Sequence, residues 1–298
     1  MAEVKKPLTY SVQLSLLKSR GCFIENDEVA IKILENINYY RLSAYFLPFK
    51  TDAGEYKSGT SLDKVYSLYE FDRELRQIIF STIEETEIFL RAKLSYFHAT
   101  KYGSLGYLEP SNFNKNHRHE KFTENFEREV AHNKKNAFVK HHLEKYNGKF
   151  PLWVATELFT FGMLSKMYAD LILQDQKELA RNLYCSVPKA VASCLRCCTD
   201  LRNICAHYGR LYNRVFSAMP DIKYLSDKEK RSLWGALLAL RELYPSNEKW
   251  NNEICKKIME LFNKYEVYID LATISFPPDW KEKLTDGVKI DKHTRFLS

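Results

Sequence analysis

Residues 62–101 read LDKVYSLYEFDRELRQIIFSTIEETEIFLRAKLSYFHATK, the longest stretch of the chain without a glycine or proline, and Gly103 closes it. At about 1.5 Å per residue this is a helix, or a helix pair, on the order of 60 Å long. Only 10 Gly and 9 Pro occur in 298 residues, and the long intervals between them favour long helices over many short strands. The chain therefore reads as all-α.

Towards the N-terminus, residues 9–49 read as two short helices and an aromatic segment. Leu14, Leu16 and Leu17 mark the first helix and Ile31, Ile33, Leu34 and Ile37 the second, with Gly21 between them. The aromatic segment runs from Asn38 to Phe49, and Pro48 ends any helix there. Gly54 and Gly59 mark the turn into the long stretch. On its other side, residues 103–119 read as a loop and 120–146 as a polar helix, broken by Gly148 and Pro151. Helices within 152–184 lead to Pro188, a first-turn proline for the helix that carries Arg202 and His207, and Gly209 suits that helix's C-terminal end. Ser226-x-x-Glu229 is a capping box opening a helix to about 243, residues 249–271 form the last helix, and Pro277 and Pro278 begin a polar tail. The expected division is an N-terminal helical region over 1–60, a helical domain over 61–272 with an insertion around 103–150, and a tail over 273–298.

A hydrophobic content of 45% is ample for a packed core. The net charge of +7 is spread along the chain, which fits either a solvated helical surface or a polyanion partner. Seven cysteines with no charged-then-apolar leader before them point to a reduced, cytoplasmic setting, and no apolar run is long enough to span a bilayer. Cys194, Cys197 and Cys198 offer the first half of a zinc ligand set without a second half, so neither a metal nor another cofactor is expected.

The chemistry gathers at residues 201–214, LRNICAHYGRLYNR. Histidine titrates near neutral pH and can act as acid or base, a permanently charged arginine can hold a phosphate, and asparagine can orient either. The bare pattern of an Arg followed by a His after four to six residues is weak, since chance supplies about one match in such a chain. Two occur, Arg202 with His207 and Arg91 with His98. On a helix Asn203 and His207 share a face, whereas Arg202 must curl round to meet His207. The plain alternative has Arg202 paired with Asp200 or another acid and His207 satisfied at a helix end. Arg91 and His98 lie two turns apart on one face, either contacting RNA or, more simply, with Arg91 paired to Glu87. Arg41, among tyrosines, could stack on bases.

Arg202-Asn203-x-x-x-His207 resembles the R-x4-6-H motif of HEPN-domain ribonucleases. The two blocks INYYRLSAY (residues 37–45) and RNICAHYGRLYNR (residues 202–214) together resemble the Abi family of phage abortive-infection proteins, in its AbiD/AbiF-like branch. The resemblance implies a HEPN-like helical bundle with an N-terminal extension, a homodimer with a composite cleft, and metal-independent endoribonuclease activity in phage defence or a toxin–antitoxin pair. Structured non-coding RNA is an implied partner. Carried over by position, Arg202 and His207 are catalytic, Asn203 orients them, and Arg210 and Arg214 bind RNA, with Arg41, Arg91 and His98 as further RNA contacts. Tyr208 stands where the family pattern places a second His or another polar residue. Two rival readings remain open: a non-catalytic RNA-binding protein holding a structured RNA, and a nucleotide-binding HEPN partner of a nucleotidyltransferase.

Overall fold

The structure, a computed structural model, describes residues 6–285. The two N-terminal helices are α1 (Tyr10–Ser19) and α2 (Asp27–Asn36), capped by the side chains of Thr9 and Asn26. The aromatic segment is helical as well. α3 (Tyr39–Phe46) starts under Asn38, whose side chain accepts from the Tyr40 amide, and Pro48 tightens its end into a 3-10 turn over Leu47–Phe49. The Ser61 hydroxyl then accepts from the Lys64 amide, and α4 (Leu62–Tyr102) follows as one unbroken helix of 41 residues. Gly103, at φ +84°, stops it in a conformation that costs a glycine little.

The polar stretch beyond is two helices rather than one, α5 (His119–His132) and α6 (Ala137–Lys145). Asn133 breaks it: its side-chain amide bonds the Glu129 carbonyl at 2.9 Å and its own carbonyl accepts from Asn136, so local bonds outcompete the helical ladder. α7 (Leu152–Ala155), α8 (Phe161–Asp170) and α9 (Leu173–Tyr184) come next, and α10 (Pro188–Ala206) carries Pro188 in its first turn. α11 (Asp227–Lys230) has both halves of the Ser226–Glu229 capping box. α12 (Leu233–Leu243), α13 (Asn247–Lys249), a π turn over Trp250–Ile254 and α14 (Cys255–Lys264) complete the main body.

Towards the C-terminus, the helix expected from the capping box to about 243 is interrupted between Lys230 and Leu233. The helix expected over 249–271 ends at Lys264, and the chain after the two prolines returns to the body as α15 (Trp280–Thr285). Trp280 and Leu284, four apart and both buried, drive that return, and the Trp250 indole donates to the Leu284 carbonyl at 3.0 Å. The remainder of the expected tail, from 286 on, lies outside the described residues. Among the described residues there is no β-strand, only isolated bridges such as Phe23 with Ser61. No helix among them is long and apolar enough to cross a membrane.

α4 is the axis of the molecule, touching α3, α7, α8, α10, α12 and α14. Its buried stripe runs Leu68, Leu75, Ile79, Ile83, Leu90, Leu94 at helical spacing. Each such side chain contributes about 1.5–3 kcal/mol by leaving water. Inside that stripe, where apolar residues belong, sit Asp72 and Arg76 at 0% and 6% exposure. Their ion pair is 2.6 Å long. Asp72 also accepts from the Tyr45 hydroxyl of α3 at 2.7 Å and from the backbone amides of Leu211 and Tyr212 at 3.0 and 2.8 Å. Burial pushes the Asp72 carboxyl up, and the Arg76 guanidinium, the Tyr45 hydroxyl and the two amides oppose that push.

Replacing Asp72 by alanine leaves a buried guanidinium without its counter-ion and the amides of Leu211 and Tyr212 without their acceptor. Asp72→Ala is expected to lose about 3–5 kcal/mol of stability in urea denaturation, whereas Glu84→Ala, at an exposed position of the same helix, should stay within about 0.5 kcal/mol of wild type.

Candidate functional site

α10 presents two faces. Val191, Cys194, Leu195, Cys198, Leu201 and Cys205 are buried against the body. Burial pushes the Cys197 and Cys205 thiols up to about 12 and raises those of Cys194 and Cys198 as well, so these four act as small apolar residues. Among the described residues, no group of three or more His, Cys, Asp or Glu is arranged to hold a metal ion. The other face carries Arg196, Thr199, Asn203 and His207, at steps of three or four residues.

His207 caps α10, its amide donating to the Asn203 carbonyl at 3.0 Å. Past it the Tyr208 amide bonds the Cys205 carbonyl at 3.1 Å and the Gly209 amide the Ile204 carbonyl at 2.7 Å, a Schellman closure. The left-handed residue is Tyr208, at φ +56°, and not the glycine. Gly209 serves close approach instead, since a Cβ there would lie 3.0 Å from Ile204 Cγ2 and 3.2 Å from its carbonyl oxygen. A left-handed tyrosine costs about 1–2 kcal/mol, and the bond from Arg41 Nη1 to the Tyr208 carbonyl, 2.7 Å, offsets part of it.

The next residues are held as firmly. Arg76 donates to the Gly209 carbonyl at 3.2 Å, Asp72 takes the Leu211 and Tyr212 amides, and Arg210 donates to the Ala44 carbonyl of α3. The two sequence blocks thus meet in space, each lending an arginine to the other's backbone, with Asp72 and Arg76 between them. Arg41 and Arg210, expected as RNA contacts, therefore each commit a donor to the fold. Sequence reasoning missed Asp72 and Arg76. Their signal was present: two opposite charges one turn apart on the apolar stripe of a long helix.

Arg202 sits at the border of the two faces of α10, turned towards α4. Its Nε lies 3.9 Å from Glu87 Oε2, and its Nη1 lies 3.5 Å from Asn203 Oδ1. Glu87 Oε1 takes Arg91 Nη2 at 2.8 Å, and the same nitrogen bonds the Phe159 carbonyl at 3.0 Å. One carboxylate thus gathers Arg91 and Arg202, whereas Asp200, the acid nearest Arg202 in sequence, accepts from the Ser217 hydroxyl at 2.7 Å. The imidazole of His207 is exposed and hydrogen-bonded to no described residue, Asn203 is exposed beside it, and Arg214 is exposed further on.

A family model described as Abi-like protein matches residues 32–213, a span that includes both blocks and the Asp72–Arg76 pair. The chain belongs to this family. Membership points to a role in abortive infection, a form of phage defence. No curated protein and no solved structure gives a significant match to this Abi-like chain.

One expectation is overturned by burial. His98, expected as an RNA contact, is fully buried, with ring centroids 4.8 Å from Tyr102 and 5.3 Å from Phe113, because it falls on the buried stripe one turn after Leu94. Neither ring nitrogen has a hydrogen-bond partner among the described residues, and burial lowers its pKa to about 4. A histidine that resists protonation in the fold stabilises it above its unfolded pKa of about 6.5, and this contribution is lost as pH falls towards 4. His98→Phe should flatten the fall of Tm between pH 6.5 and 4, read by circular dichroism melts, and an unchanged acid dependence would refute the assignment.

Proposed function

We propose that this Abi-like protein is a HEPN-type endoribonuclease that cuts RNA without a metal ion, with His207, Arg202 and Asn203 as its working groups. One observation carries the reading: the imidazole of His207 stands exposed at the end of α10, without a hydrogen-bond partner among the described residues, beside an exposed Asn203, while the backbone behind it is pinned by Asp72, Arg76 and Arg41. A catalytic base needs this combination of free lone pair and fixed position.

In the proposed reaction His207 removes the proton of a ribose 2′-hydroxyl. The 2′-oxygen forms a bond to the adjacent phosphorus, and the bond from phosphorus to the 5′-oxygen of the next nucleotide breaks. Arg202 faces the charge that builds on the phosphoryl oxygens, and Asn203 orients Arg202. The departing 5′-oxygen takes up a proton, which a second copy's imidazole would supply in a composite cleft between two chains. The products are a 2′,3′-cyclic phosphate and a 5′-hydroxyl. DNA lacks the attacking oxygen and survives.

The Arg91–Glu87–Arg202 cluster supports the reading in a second way. Glu87 holds Arg202 near the cleft at 3.9 Å, a distance that leaves the guanidinium able to turn to a phosphate.

The test is incubation of wild type, His207→Ala and Arg202→Ala with a mixed RNA pool in EDTA, with fragment ends identified. Wild type should yield cyclic phosphate ends. His207→Ala should lose about 10²- to 10⁴-fold in rate while still binding RNA, and Arg202→Ala should weaken both cutting and binding. RNA bound and left whole by wild type as well would favour the rival reading, a protein that holds RNA without cutting it. Inhibition by EDTA would sink the metal-free mechanism.

A further inference from the structure

A furrow crosses the surface from α5 over α8 to α10. Its first part, a groove of about 700 Å³, is lined by Arg118, Lys121 and Arg128 on one side and by Gly162 and Lys166 on the other. Its second part, about 630 Å³, shares Gly162 and Lys166 and continues to Lys189, Arg196 and Thr199 of α10. The two parts join at Gly162 of α8, which packs beside Thr199 of α10.

The charge of this furrow is one-sided. Of its carboxylates, Asp170 is matched by Lys166 at 2.6 Å and Asp221 by Lys189 at 3.4 Å, which leaves Glu129. Arg118, Lys121, Arg128 and Arg196 are exposed and pair with no carboxylate among the described residues. These four cations, unmatched among the described residues, focus along the furrow a field that a polyanion would neutralise.

Its direction matters as much as its charge. Ala192, Arg196 and Thr199 line it, and the next positions on the same helical face are Asn203 and His207, so the furrow points along α10 to the exposed imidazole. From Arg196 to His207 is about 16 Å along the axis. Asp200 lies on this face as well, its carboxylate accepting from the Ser217 hydroxyl at 2.7 Å.

We propose that this furrow is the track for the phosphate backbone of single-stranded RNA, held by Arg118, Lys121, Arg128 and Arg196 and delivered to His207. The proposal rests on the reading of His207 as the cleavage base. The contacts are to phosphates, so the track binds without regard to base sequence, and its affinity falls steeply with salt.

The test uses the full-length chain and a fluorescein-labelled single-stranded RNA that is 2′-O-methylated throughout and so cannot be cut. Binding is followed by anisotropy across a series of KCl concentrations. The triple variant Arg118→Gln/Arg128→Gln/Arg196→Gln should bind at least tenfold more weakly at low salt. Its slope of log Kd against log salt should fall by about two, since a single strand releases about 0.7 counterion per neutralised phosphate. His207→Ala should bind as wild type does. Lys256→Gln/Lys257→Gln/Lys281→Gln removes equal charge from exposed positions on α14 and α15 and should change binding little. Circular dichroism melts confirm that both triple variants fold. Equal loss in the two triples, an unchanged Kd and slope in the furrow triple, tighter binding of a duplex than of the single strand, or no binding by wild type would each overturn the track. Cutting of unmodified RNA at an unchanged rate by the furrow triple would overturn the track and leave the role of His207 standing. Cutting by His207→Ala would overturn that role instead.

Discussion

The fold depends on one demand: a carboxylate and a guanidinium placed inside the apolar stripe of α4 must find partners or cost several kcal/mol. Asp72 meets that demand with Arg76, the Tyr45 hydroxyl and the amides of Leu211 and Tyr212. Arg76 adds the Gly209 carbonyl. Three segments far apart in the chain are thereby fixed to one another at a buried point. The geometry of the helix end that carries His207 follows from it, because the residues just after that end have no freedom left. Buried polar networks of this kind confer little stability beyond what an apolar core would give, but they specify which arrangement forms.

The second organising fact is the division of α10 along its length. One face holds cysteines and leucines against the body, and the opposite face repeats polar side chains from Lys189 to His207. Arg202 falls at the boundary, which is why it can lie beside Glu87 of α4 and still reach Asn203. His207 and His98 make an instructive contrast. Both follow an arginine at a spacing that fits the same loose pattern, yet one lies on the open face of a helix end and the other inside an aromatic cage. Burial, which the pattern does not contain, separates a candidate base from a core residue.

Much of the architecture was legible from local signals. The breaker-free run from Leu62, the glycine after it, Pro188 in a first turn and the Ser226–Glu229 capping box each act within a few residues, and each is present in the fold. The signals that failed were also local in kind but were outweighed. Asn133 split a helix by bonding its own neighbourhood, Tyr208 took the left-handed position beside an available glycine, and two apolar residues drew the segment after Pro278 back onto the body.

From the sequence alone came the helical class, the positions of most helices and the motif with its Arg, Asn and His. These follow from periodicity, caps and side-chain chemistry, all of which operate over one or two turns. The tertiary structure alone decided that Arg41 and Arg210 tie the two blocks together, that His98 is buried, and that Asp72 receives amides 139 and 140 residues further along the chain. The physical reason is that burial and pairing are properties of what packs against a residue, and for these residues the partners lie across the core.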